Sequence, residues 1–149
     1  MSVDGRILII DDSPDDVTLT LRALRKNNIT NTVDIATDGE EALRHLFPPD
    51  EPAAGRTDAL PALVLLDLNM PKISGLDVLR SIRSDPRTRY LPVVVLTTST
   101  EERDIVNTYD LGANSFVRKP VAFDEFLDAV RLLGMYWLLV NRPVGKHRD

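Results

Sequence analysis

Six polar side chains in this chain share one setting, since each stands at the end of a short run that reads as a β-strand. Asp11 and Asp12 follow Ile7-Leu8-Ile9-Ile10, and Asp67 follows Leu63-Val64-Leu65-Leu66. Thr97 and Thr98 follow Val93-Val94-Val95-Leu96, and Lys119 follows Ser115-Phe116-Val117-Arg118. Three carboxylates drawn together raise one another's pKa unless a cation lies between them. The chain has no cysteine, and neither of its two histidines is near these positions, so the donors are all oxygen and favour Mg²⁺, or Mn²⁺, over Zn²⁺. A cation held by one or two carboxylates keeps positions for water and for a phosphoryl oxygen. An ammonium group and threonine hydroxyls are suitable donors to the remaining phosphoryl oxygens. The adjacent Asp11 and Asp12 suit metal anchoring. Asp67, alone at the end of an apolar run, suits the nucleophile and phosphoryl acceptor. Taken singly, each residue has a plain structural alternative, as a helix cap, a strand-end hydroxyl or a surface lysine. Together they are chemically complementary.

Elements must bring them to one place. After the first strand, Pro14 suits the first turn of a helix whose spacing Val17, Leu21, Leu24 continues to about Asn27, with Asn28 helping to end it. Thr32 to Ala36 reads as a second strand, and Asp38-Gly39 opens a short helix through Leu46. A Pro- and Ala-rich stretch over about 47–62 predicts a long surface loop. Ser74-Gly75 starts a helix that Asp85-Pro86 ends, Glu101 to Leu111 is helical with Gly112 as its cap, and a final helix begins near Phe123 and runs towards Val140. Five strands alternating with five helices predict an α/β fold, a doubly wound parallel sheet with helices on both faces. Such a sheet gathers its strand ends along one edge, where ligands bind.

The 149 residues, 43% of them hydrophobic, suit a single domain spanning 1–149. A net charge of −5 argues against a broad nucleic-acid surface. No basic-then-apolar leader opens the chain, and no apolar run is long enough to cross a bilayer. The expectation is a cytoplasmic protein with neither nucleic acid nor membrane as partner. The extended C-terminal helix and tail over about 123–149 carry two apolar stripes. Phe126, Val130, Leu133, Trp137 and Val140 can cover the sheet, while Leu132, Met135, Tyr136 and Leu139 fall roughly opposite. A helix apolar on two faces needs two partners, which predicts a homodimer through the second stripe.

The residues Ile10-Asp11-Asp12, Leu66-Asp67-Leu68-Asn69-Met70-Pro71, Ser74-Gly75, Leu96-Thr97-Thr98, Gly112-Ala113 and Lys119-Pro120 occur in an order and spacing that resembles the receiver domains of two-component response regulators. The resemblance covers nearly the whole chain. It implies a flavodoxin-like (βα)5 fold with sheet order 2-1-3-4-5. It also implies that Asp67 takes phosphate from a sensor-kinase histidine, and that Asp12 and Asp67 bind Mg²⁺ with the Asn69 carbonyl while Asp11 acts through water. Thr97 and Lys119 would engage the phosphoryl group. Thr97 and Phe116 would form a switch that reshapes the surface around the helix expected over 101–111, the strand 115–118 and the last helix. The loop before the central strand and the ending Tyr136-Trp137-Leu138-Leu139-Val140-Asn141-Arg142-Pro143 are similar to stand-alone receivers paired with phytochrome-type histidine kinases. An alternative is a phosphorelay intermediate that passes phosphate to a histidine phosphotransfer protein. A phosphohydrolase of this kind usually wants a second carboxylate two residues after the nucleophile, and position 69 is asparagine. The expected activity is therefore self-phosphorylation and slow self-dephosphorylation, not turnover of external substrates.

Overall fold

Three short apolar segments and two mixed edge segments pair side by side. In the computed structural model, β1 (Ile7–Ile10), β2 (Val33–Ala36), β3 (Leu63–Asp67), β4 (Val93–Thr97) and β5 (Ser115–Arg118) form one parallel sheet in the order β2-β1-β3-β4-β5. This is the flavodoxin-like order. The structure describes residues 5–47, 60–70, 72–97, 112–113, 115–119 and 121–132. Thr98, the helix expected over 101–111, most of the loop expected over 47–62, and Met135, Tyr136 and Leu139 lie outside the described residues.

Alternation along the strands divides the core. Ile7, Ile9, Leu63, Leu65, Val94, Leu96 and Val117 face α1 (Pro14–Lys26) and α4 (Phe123–Leu132), where Leu24, Phe126 and Val130 meet them. Leu8, Ile10, Val64, Leu66, Val93 and Val95 face α2 (Gly39–Leu46) and α3 (Gly75–Ser84), through Ala42, Leu46, Val78, Leu79 and Ile82. Every residue of β1, β3 and β4 is buried, so these strands read as unbroken apolar runs. The two edge strands differ. Asp34 of β2 pairs with Arg6 at 3.1 Å, and β5 exposes Arg118, charges that disfavour pairing with another chain.

Helix starts follow from short polar side chains. Ser13 Oγ accepts from the Asp16 amide at 3.2 Å, Asp38 from Glu41 at 2.7 Å, and Ser74 from Asp77 at 3.2 Å. Pro14 adds the preset backbone angle at the start of α1. That helix ends where Asn28 turns left-handed at φ 61°, which lets the Ile29 amide reach the Leu24 carbonyl and buries Ile29 beside it.

Arg83, near the end of α3, ties down the approach to β4 and the residues before β5. Its guanidinium donates twice to the Gly112 carbonyl, at 3.0 and 2.7 Å, and once each to the carbonyls of Arg89 and Leu91. Gly112 accepts this role at φ 84°, a conformation that side chains resist. Four hydrogen bonds from one planar group to three carbonyls predict that Arg83→Met loses about 2 to 3 kcal/mol of stability, read from urea unfolding midpoints at constant slope.

Candidate functional site

The carboxyl ends of β1, β3, β4 and β5 converge in the parallel sheet, and the ladder continues one residue past β1, β3 and β5. The Asp11 amide donates to Ala36, Leu68 to Leu96, and Lys119 to Thr97 at 2.8 Å. These bonds leave Asp11, Asp67, Thr97 and Lys119 side by side at one edge. All four are buried, each less than a tenth exposed. Asp12, next in sequence, is exposed at the mouth.

Local turns aim the carboxylates. Asp11 Oδ1 accepts from the Ser13 amide at 3.0 Å, and Asp67 Oδ1 accepts from the Asn69 amide at 3.2 Å. Asp11, Asp12 and Asp67 each present an oxygen to a cluster whose atoms lie within 4.8 Å of one another. Asp11 Oδ2 is fully buried, and the partner it has is the Lys119 ammonium, 2.9 Å away. A buried oxygen so placed, among hard oxygen donors, fits a divalent cation such as Mg²⁺ or Mn²⁺. Asn69 itself is exposed, and its side-chain amide lies 3.5 Å from Thr97 Oγ1.

Lys119 is the positive centre. Its ammonium donates to Asp16 Oδ2 at 2.8 Å and lies 3.5 Å from Asp67 Oδ1. Burial works to lower its pKa, but Asp11, Asp16 and Asp67 outweigh it and hold the ammonium above its ordinary value. Asp67 is pushed up to about 6, first by burial, against the opposing charge of Lys119 and with that of Asp11. It is therefore mostly ionised at neutral pH, and more basic than an exposed carboxylate.

Asp11, Asp12, Asp67, Thr97 and Lys119, each singled out from sequence, thus meet in one site. Phe116 lies on β5 beside Val95 and is half-buried against the α2 and α3 face of the core, one strand from Thr97. Leu132 is 80% exposed at the end of α4. Asp16 was missed, because an acid in the first turn of a helix reads as a dipole partner. The available signal was its position three residues after the capping Ser13, on a helix entered directly from the site.

Residues 7–131 match the response regulator receiver domain family. The fold is similar to the bacteriophytochrome response regulator AtBRR, with a TM-score of 0.77 and 45% identity over 93% of this chain and 98% of that one. It is also similar to the Mn(2+)-bound form of Rcp1, with a TM-score of 0.70 and 33% identity over 94% of this chain and 99% of that one. In sequence, Rcp1 of Synechocystis sp. is 34% identical over 132 residues, 89% of this chain and 88% of its own length. A phosphorylated cyanobacterial phytochrome response regulator, RcpA, aligns with a TM-score of 0.71 and 35% identity over 90% of this chain and 94% of that one.

Proposed function

Because the chain belongs to the response regulator receiver domain family, we propose that it is a signalling phosphoacceptor with Asp67 as the acceptor. The observation that carries this reading is the buried, basic Asp67 carboxylate beside both the acidic cluster and the Lys119 ammonium. An Asp67 oxygen attacks the phosphorus of a phosphohistidine. The new O–P bond forms as the N–P bond breaks, and the departing imidazole takes up a proton. Lys119 and the Thr97 hydroxyl then donate to the phosphoryl oxygens. Asp11, Asp12, Asp67 and the Asn69 carbonyl would hold Mg²⁺ or Mn²⁺, which when bound neutralises charge on the phosphoryl group. The Mn(2+)-bound form of Rcp1 supports the choice of cation, and phosphorylated RcpA supports the chemistry.

AtBRR and RcpA are phytochrome response regulators by description, which favours a phytochrome-type histidine kinase as this chain's donor. The output in this reading is changed binding at the receiver's own surface. Thr97 and Phe116, on neighbouring strands, are the switch in this reading, and exposed Leu132 begins a homodimer surface.

The test is intact mass after incubation with acetyl phosphate and Mg²⁺, and separately with a phosphorylated phytochrome kinase. A gain of one phosphoryl group that EDTA abolishes is expected. No gain from either donor would overturn the proposal.

A further inference from the structure

Lys119 Nζ carries three protons and is surrounded by three carboxylates, at 2.8 Å from Asp16, 2.9 Å from Asp11 and 3.5 Å from Asp67. Two of the three also belong to the cluster that could hold a metal; Asp16 does not. Asp16 nonetheless makes a full contact, accepting a hydrogen bond from the ammonium at 2.8 Å, as close as that of Asp11. Its backbone is pinned on both sides, since its amide donates to Ser13 Oγ and its carbonyl accepts from Thr20 Oγ1 at 2.9 Å. The buried Lys119 stem leaves the ammonium little room to move.

We infer that Asp16 is a positioning residue for Lys119, supplying the ammonium with an anion of its own so that lysine and a divalent cation need not compete for the oxygens of Asp11 and Asp67. The inference rests on the phosphoacceptor reading of the site. An ammonium and a divalent cation repel each other, and within a few ångströms the repulsion is scarcely screened. Asp16 stands at the ammonium and outside the cluster, where it neutralises the lysine without occupying a metal-ligand position. With an uncharged residue at position 16, the lysine is held by Asp11 and Asp67 alone and its charge is balanced only by the cluster's own carboxylates. Cation binding must then displace the lysine.

The experiment is a thermodynamic cycle on the full chain, with Mn²⁺ alone as the probe and free Mn²⁺ read by electron paramagnetic resonance. Asp16→Asn should weaken Mn²⁺ binding by about five-fold or more. Asp15→Asn removes the same charge from an exposed neighbour and should cost less than about two-fold. In a Lys119→Gln background, Asp16→Asn should cost no more than Asp15→Asn does, because there is no ammonium left to release. Circular dichroism checks folding, and Asp16→Ser replaces the asparagine variant should that chain not fold. An equal loss from the Asp15 and Asp16 variants, or a loss that persists without Lys119, would overturn the inference while leaving the site's function standing. A wild-type chain that binds no Mn²⁺ would overturn the cation reading and this inference with it.

Discussion

Asp67→Asn is expected to take up no phosphoryl group from any donor, and to fold more stably than wild type when no divalent cation is present. The first effect is the loss of the attacking oxygen. The second follows from the direction of the Asp67 shift. Burial raises its pKa from 3.8 to about 6, and Lys119 does not fully offset that, so the ionised form is held at a cost. The sign follows from linkage. A carboxyl whose folded pKa lies above its unfolded value binds more protons in the folded chain, so stability is lost as pH rises between the two values. Wild type therefore keeps the full contribution of a neutral Asp67 below about pH 4, and loses it as pH rises through about 6. Asparagine is uncharged throughout. The stability gap between the variant and wild type in EDTA should widen over that window to roughly 1 to 3 kcal/mol, measured by urea unfolding at several pH values. A variant less stable than wild type at pH 7 in EDTA would show that the Lys119 pairing outweighs desolvation.

Gly75→Ala is expected to damage the fold and the site together. Gly75 is the first residue of α3, and its amide donates to the Leu68 carbonyl at 3.1 Å. A methyl group there would overlap the Asp67 carbonyl oxygen and press on Leu68 Cα. Both obstacles are backbone and cannot rotate away. Either α3 withdraws from β3 or the end of β3 bends, and the cost should be about 3 kcal/mol or more. Bending moves Asp67 against Lys119 and the other carboxylates, so phosphorylation by acetyl phosphate should slow by more than about ten-fold in the fraction that still folds. Gly75→Ser should behave similarly, since its added atoms meet the same backbone. Thermal melts and the rate of phosphoryl mass gain test the two effects separately. Wild-type values for both would show that the end of β3 and the start of α3 accommodate the methyl group without moving Asp67.

The strands and their polar ends were legible because buried parallel strands are nearly continuous apolar runs. The interruption at Asp67 and the acidic pair after Ile10 stand out against them. Caps were legible for a similar reason. Asp38 and Ser74 stand just before apolar periodicity begins and accept from the amide three residues on, as does Ser13, where the sequence signal was Pro14 instead. Contacts between elements distant in sequence were not legible. Gly75 looked like a helix start, and nothing in its neighbours marked the pressure of the Asp67 carbonyl. Asp16 looked like a helix-dipole acid, because its partner lies on the far edge strand. Nothing beside Arg83 in the sequence marks the four hydrogen bonds it donates to carbonyls outside its own helix. The expected dimer residues Met135, Tyr136 and Leu139, and Thr98, whose hydroxyl was expected at the phosphoryl group, lie outside the described residues.

The bond between Lys119 and Asp16 closes a loop of 103 residues, which sets the order in which the site can be assembled. Strands β1 and β3 can pair as soon as residue 67 is available, and with them the acidic cluster is complete. The ammonium that compensates it arrives only when β5 docks on β4 at the opposite edge. Contacts so far apart in sequence form late, because the entropy of closing the loop must be met first. A chain that has paired β1 with β3 but not yet docked β5 therefore brings its three carboxylates together without Lys119 beside them. Docking of the last strand completes the sheet, and it also relieves their repulsion.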